Sequence, residues 1–339
     1  MISNEKQLED LLSEPSPDDA RAMAEMNGDL IILGVAGKMG PSLARRARRA
    51  CELAGVSKRI IGVARFSERG VRESLECAGI ETVTADLLAP HALASLPDAP
   101  NVLYMAARKF GSTGAEHLTW AMNTLLPGLV AERYAASRMV AFSTGNVYPL
   151  VPVQGGGATE DLSPAPVGEY AQSALGRERI FEFFSRRNQT PVMLLRLNYA
   201  IDLRYGVLLD IGQKVFERRP VDVAMGYVNV IWQWDANSVA LRSFGLCQSP
   251  PAVLNVTGPE ILAVRGIARM FGERFGVEPV LQGKEADTAL VSNAGRCHKL
   301  FGRPSVTVEQ MIDWVADWIR TGGATLSKPT HFETRDGRF

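Results

Sequence analysis

From Leu30 onward the chain alternates short apolar runs rich in β-branched residues with longer stretches of helical spacing. The runs read LIILGV, SLARRARRACELAG, RIIGVA, ETVTA, NVLYMAA, RMVAFST and PVMLLRL. Strands that alternate with helices predict a parallel sheet covered on both faces. After Arg196 the pattern is less regular, with short apolar runs near Val228–Trp232 and Ala252–Val256 and helical spacing at 235–246, 262–275 and 308–320. This part reads as a smaller domain over the carboxyl edge of the sheet. Residues 1–28 are polar, and Pro15 and Pro17 interrupt a short amphipathic helix around Glu5 to Leu12, so the segment reads as an appendage.

Composition narrows the function classes. Lys+Arg and Asp+Glu each number 37, which excludes a nucleic-acid clamp driven by bulk charge. Hydrophobic residues make up 46% of the chain, enough for a large core and too many for a disordered protein. Apolar runs stop after about eight residues, well short of a membrane span, and the N-terminus carries acids where a signal peptide needs a basic start. A cytoplasmic protein with no membrane partner is the expectation. The four cysteines (Cys51, Cys77, Cys247, Cys297) form no C-x-x-C pair and read as reduced, buried thiols. The four histidines lack metal-ligand spacing and no G-x-S-x-G elbow occurs, so no metal site and no hydrolase is expected.

The first strand runs through Gly34-Val-Ala-Gly37-Lys38-Met39-Gly40 directly into a helix. Glycines so placed let the backbone turn tightly, approach a pyrophosphate and set a helix amino end against its charge. Such a turn at the start of an alternating chain predicts a dinucleotide site on a Rossmann-type fold. Sites that take NAD usually carry an acid at the end of the second strand. Here Ala64 occupies that place and Arg65 follows. An arginine fork grips a 2′-phosphate, and Lys38 adds a second positive charge, so the expected cofactor is NADP or NAD, with the preference for NADP. The cluster Arg45, Arg46, Arg48 and Arg49 on the first helix of this unit reads as a solvated face.

Taken together and in order, these residues resemble the extended short-chain dehydrogenase/reductases, the NAD-dependent epimerase/dehydratase family, over roughly residues 29–321. The features are the glycine turn, Thr84-Ala85-Asp86-Leu87, Met105-Ala106-Ala107, Asn123, Phe142-Ser143-Thr144-Gly145-Asn146-Val147-Tyr148-Pro149, Thr159-Glu160-Asp161-Leu162-Ser163-Pro164 and Gly168-Glu169-Tyr170-Ala171-Gln172-Ser173. Leu254-Asn255-Val256-Thr257-Gly258-Pro259-Glu260 and Val308-Glu309-Gln310-Met311 fit the family's substrate domain. The resemblance implies an α/β architecture, a doubly wound parallel sheet with a smaller C-terminal α/β substrate domain. The expected divisions are an extension at 1–28, a dinucleotide-binding domain at 29–197 and a mainly substrate-binding part at 198–339, from which one strand can return to the sheet.

It also implies roles by position. Asp86 and Leu87 would contact adenine, Ala106 and Ala107 would pass under the ribose and phosphates, and Lys109, Met39, Asn123 and Tyr170 would complete the cofactor site. Thr144 and Tyr170 match the catalytic hydroxyl pair, while Thr144, Asn146, Asn198 and Tyr199 would face a carbohydrate-like small-molecule substrate. Taken without the family pattern, Asp86 reads as a loop acid capping the next turn and Thr144 as a hydroxyl satisfying a strand end. The helices at 116–136 and 168–187 correspond to those through which the family pairs as a homodimer.

The chain departs from the family at Ala174, where the motif Y-x-x-x-K requires lysine. That lysine holds the nicotinamide ribose and favours the phenolate. With a free-tyrosine pKa of about 10, reaching the phenolate at neutral pH costs on the order of 4 kcal/mol. Lys109, Arg177 or the charge of an oxidised nicotinamide are the substitutes; alternatively Tyr170 works only as a proton donor in the reductive direction. Asn198 stands one residue early against the family's R-x-F-N, and Trp232 and Trp234 replace a histidine-bearing pattern, one of them belonging to the core. Three readings stay open: an NAD(P)-dependent oxidoreductase, a sugar epimerase or dehydratase that regenerates its cofactor, and a non-catalytic NAD(P)-binding regulator.

Overall fold

A computed structural model describes residues 2–109, 111, 113–328 and 330–338. Two helices open the chain, α1 (Glu5–Leu12) and α2 (Pro17–Glu25). Pro17 stands in the first turn of α2, where its missing N–H costs nothing, and Ser16 and Asp19 form a capping box, so this proline starts a second helix instead of only ending the first. Then follow β1 (Leu30–Leu33), α3 (Gly40–Leu53), β2 (Ile60–Ala64), α4 (Val71–Cys77), β3 (Glu81–Thr84), β4 (Asn101–Tyr104), α5 (Glu116–Trp120) and α6 (Leu126–Arg133). The unit closes with β5 (Arg138–Thr144), α7 (Glu169–Asn188) and β6 (Val192–Leu197).

All these strands pair in parallel, in the order β6-β5-β4-β1-β2-β3, and β7 (Ala252–Val256) returns from the C-terminal part to extend the sheet beside β6. Reversal of the strand order between β1 and β4 opens a crevice at their carboxyl ends. Strands β1, β2 and β4 are buried along their whole length, which is why they read as unbroken apolar runs.

The second lobe carries α8 (Val207–Phe216), α9 (Gln233–Arg242), α10 (Val264–Phe275), α11 (Gly295–Phe301) and α12 (Val308–Arg320). Val207, Ile211, Val215, Ile267, Phe271, Met311 and Val315 form its core, and Leu8 and Leu12 of α1 join it. Trp232 is buried there, edge-on to Trp314, and Trp234 lies under the guanidinium of Arg46, so both belong to packing.

The arginine cluster on α3 is not a solvated face. Arg46 is fully buried and paired with Asp19, Arg45 bonds Glu9 at 2.5 Å, and Arg49 donates to Asp10 O and Ser13 Oγ. The acids of the N-terminal segment lie over these basic side chains, a contact across 27 to 36 residues that local helical spacing does not reveal. Among the thiols, Cys51 and Cys297 are buried as expected, whereas Cys77 is exposed.

Candidate active site

The glycine turn leaves β1 with Gly34 at φ 91°, and a Cβ there would lie 2.7 Å from Ala106 N. At Gly40 a Cβ would lie 2.1 Å from Val35 O. Backbone contact therefore demands both outer glycines. Gly37 differs: its added Cβ would meet only Gly34 O, at 3.3 Å, and the residue is exposed. The N–H groups of Lys38 and Met39 bond no backbone carbonyl among the described residues. Donors of this kind at the start of α3, above an open glycine, could hold a pyrophosphate. At the end of β2, Arg65 is exposed and makes no hydrogen bond or ion pair among the described residues. The turn after β3 has Leu87 buried and Asp86 exposed, Asp86 Oδ1 accepting from Leu88 N at 3.1 Å. Ala106 is buried and Ala107 exposed at the end of β4.

Lys38 turns away from this cofactor edge. Its ammonium donates to Ala200 O and sits 4.1 Å above the ring of Tyr205, both in the second lobe, so it does not stand with Arg65. Burial pulls its pKa down to about 7 against the attraction of Asp202.

A cavity of about 180 Å3 opens between the glycine turn and the second lobe. Thr144 and Tyr170 face it together with Lys38, Lys109, Asn146, Asn198, Tyr199, Tyr205 and Thr330. Thr144 closes β5, and Tyr170 lies in the first turn of α7. Burial raises the pKa of Tyr170, opposed by the positive charge of Arg177 and by a hydrogen bond with Thr144, so its phenol is neutral at neutral pH. Tyr199 holds φ at 38°, a costly conformation for a bulky residue, where the chain bends after Asn198 into the cavity wall.

Ala174 is completely buried against Val147, Tyr148 and Ala158, so apolar packing surrounds the position of the family's lysine. Two cations lie nearer to Tyr170. Arg177 is buried beneath it and donates to Phe142 O and Asn123 Oδ1, each at 2.9 Å. Lys109 holds its ammonium 5.8 Å from the ring centroid of Tyr170, with burial lowering its pKa to about 8.

Asn123 sits in a π-helical turn (Ala121–Leu125) between α5 and α6. Its Oδ1 accepts from Arg108 N and Arg177, and its Nδ2 donates to Arg108 O and Ser173 Oγ, at 2.9 to 3.0 Å. All of its capacity is spent inside the protein, so it clamps the loop that carries Lys109 and offers no atom to a cofactor. The bulge is what brings its amide to that loop.

Sequence reasoning missed Tyr205 and Thr330. The chain after α12 runs over α8: Leu326 N bonds Arg204 O, Thr330 N bonds Asp210 at 2.8 Å, Glu333 pairs with Lys214, and Arg335 donates to Thr288 O. Its Gly337 packs against Gly168, where a Cβ would lie 2.4 Å from Gly337 O. No local motif signals such a strap.

The sequence of residues 30–200 matches the NAD dependent epimerase/dehydratase family. The chain belongs to the NAD-dependent epimerase/dehydratase family. Its resemblance to the extended short-chain dehydrogenase/reductases is thereby borne out, as is the α/β sheet architecture. Similar folds occur in MoeE5 in complex with UDP-glucose and NAD (TM-score 0.71, 18% identity, 87% of this chain and 99% of that one). They occur also in a UDP-glucuronic acid 4-epimerase of Bacillus cereus (0.72, 16%, 86% and 99%) and a dTDP-glucose 4,6-dehydratase of Bacillus anthracis (0.72, 15%, 86% and 96%). At such identities the likeness is one of fold, and all three were crystallised with NAD. A search of curated proteins finds no match. No helix among the described residues is long and apolar enough to cross a membrane, and none of their His, Cys, Asp and Glu side chains cluster as a metal site.

Proposed function

We propose that this member of the NAD-dependent epimerase/dehydratase family binds NADP or NAD across the glycine turn and acts on a hydroxyl or carbonyl carbon of a carbohydrate-like substrate in the cavity. The observation that carries the reading is the hydrogen bond between Thr144 and a neutral Tyr170 at the cavity floor, beside the open Gly37 cradle. When bound, the nicotinamide supplies the hydride donor or acceptor. Thr144 orients the substrate oxygen, and Tyr170 gives it a proton, a task suited to the neutral phenol that burial enforces. Lys109 takes over from the absent lysine at Ala174, its cationic form opposing charge build-up on Tyr170 after the proton leaves. Arg65 grips a 2′-phosphate through its unengaged fork, which favours NADP. Release of an altered cofactor marks a reductase or dehydrogenase; return of the cofactor unchanged marks an epimerase or dehydratase.

Two observations favour a second reading. The apolar enclosure of Ala174 and the upward shift of Tyr170 suit a protein that binds the dinucleotide and senses its redox state without turnover. A homodimer in the cytoplasm fits either reading, since Leu118, Leu125, Leu129 and Phe183 are exposed on the helices of the pairing region.

The test is a fluorescence titration with NADPH and NADH, repeated with Arg65→Ala. Tighter NADPH binding that weakens in the variant supports the phosphate grip; preference for NADH overturns it; binding of neither removes the whole reading. Any activity that appears in Ala174→Lys and is absent from the native protein favours the regulator.

A further inference from the structure

Beside Thr144 several hydrogen-bond acceptors are occupied, and among the described residues one buried amide donor is left over. Thr144 Oγ1 donates to Asn146 Oδ1 at 2.9 Å and accepts from Asn146 N at 3.2 Å. Ala200 O receives the Lys38 ammonium, and Thr330 O receives that of Lys109 at 3.3 Å. Asn198 Nδ2 has no partner among the described residues, although the residue is only 4% exposed. Its amide is packed tightly over Gly145, where an added Cβ would lie 1.6 Å from Asn198 Oδ1, so it cannot swing away to find one.

Among the described residues that line this cavity there are two ammonium groups and no carboxylate. The nearest acids are engaged: Asp202 with Arg204 through both oxygens at 3.1 and 2.7 Å, Asp210 with Thr330 N and Oγ1 at 2.8 and 2.5 Å. Both attract Lys38 from behind, while Arg204 and Lys109 repel it. A neutral sugar brings hydroxyls that donate as often as they accept and adds no negative charge opposite Lys38. A carboxylate accepts only, and ionised partners make the stronger hydrogen bonds.

We propose that the reacting end of the substrate carries a carboxylate, held by the Lys38 ammonium and the Asn198 amide. This rests on the reading of the cavity as the substrate site. A cofactor phosphate offers similar chemistry, but Lys38 reaches away from the free N–H groups of the glycine turn, towards Ala200 and Tyr205.

The experiment is calorimetric titration of the full-length protein at about pH 6, where Lys38 is charged. The paired probes are D-glucuronate against D-glucose and UDP-glucuronate against UDP-glucose, each with and without saturating NADPH. The acid should bind about tenfold more tightly than its neutral counterpart in at least one pair. Lys38→Met should bring that ratio near one. Asn198→Asp, which keeps the shape and replaces the donor by a carboxylate, should do the same with little change in melting temperature. Equal affinities, no binding of either acid, or a preference that survives both substitutions overturns the proposal. An equal loss of NADPH and acid affinity in Lys38→Met assigns the lysine to cofactor phosphates and overturns it too. Failure of the parent reading shows separately, as absence of NADPH binding, and the titrations without cofactor still decide the acid preference.

Discussion

Replacing Asp19 by alanine tests whether the N-terminal helices are part of the folded body. Asp19 and Arg46 are both fully buried, with Arg46 Nε 2.9 Å from Asp19 Oδ2. The same carboxylate accepts from Ser16 N and Ser16 Oγ at 2.7 and 2.8 Å, and its other oxygen from Ser238 Oγ at 2.7 Å. Arg46 Nη1 has no partner among the described residues even in the native protein, so none of them offers a spare acceptor. Leaving that guanidinium buried and unpaired costs about 3–5 kcal/mol. Loss of the capping box on α2 adds roughly 1 kcal/mol. At about 2–4 °C per kcal/mol for a chain of this size, the melting temperature should fall by roughly 10–20 °C in scanning calorimetry. The double variant Asp19→Asn with Arg46→Met removes the stranded charge and should recover more than half of the loss. A shift below about 2 °C for Asp19→Ala alone would refute the argument, because no buried ion pair can then be stabilising that contact.

Further outcomes follow from the site. Lys38 binds fewer protons folded than unfolded between about pH 7 and 10.5, so the native protein carries a burial penalty that is full below pH 7 and fades as pH rises to the unfolded value. Urea denaturation should therefore find Lys38→Met more stable than the parent by about 2 kcal/mol near pH 6.5, after allowance for solvent access, and about equal near pH 10.5. An advantage that grows with pH would contradict this sign. Gly40→Ala should unfold the turn, since its Cβ would meet Val35 O at 2.1 Å, whereas Gly37→Ala should melt almost normally and lose NADPH binding in fluorescence. Leu125→Glu with Phe183→Glu, both at exposed apolar positions, should convert a dimer to a monomer in light scattering; an unchanged mass would place the interface elsewhere.

Much of the sheet is legible because burial on both faces writes itself into the sequence: Arg138–Thr144 and Ala252–Val256 are strands over the very residues that the apolar pattern marks. The 308–320 helix is equally direct, its thirteen residues running between a Thr307 cap and Arg320. Contacts between distant segments are different. Whether Arg46 faces water or Asp19 depends on a helix that arrives from outside the periodic pattern, and the enclosure of Ala174 by Val147, Tyr148 and Ala158 depends on a loop crossing α7. In the cavity, motif position locates Thr144 and Tyr170, but the direction of Lys38 is set by Ala200 and Tyr205, and Thr330 arrives through the C-terminal strap. Side-chain aim and long-range closure have no period to read.

The docking of the first two helices has a consequence for synthesis. Asp19 accepts from Ser238, Glu14 O from the indole of Trp234, and Glu9 from Arg204, so beside the early partners Arg45, Arg46 and Arg49 this segment has others that are translated much later. At about 5–20 residues per second, roughly 10–45 s separate the emergence of Asp19 from that of Ser238. Throughout that interval the growing polypeptide carries an acidic amphipathic segment and an arginine-bearing helix whose common seat is unfinished. Helices α1 and α2 are thus among the last elements to settle, and a ribosome-stalled chain ending before residue 234 should leave them open to protease while the chain of 339 residues shields them.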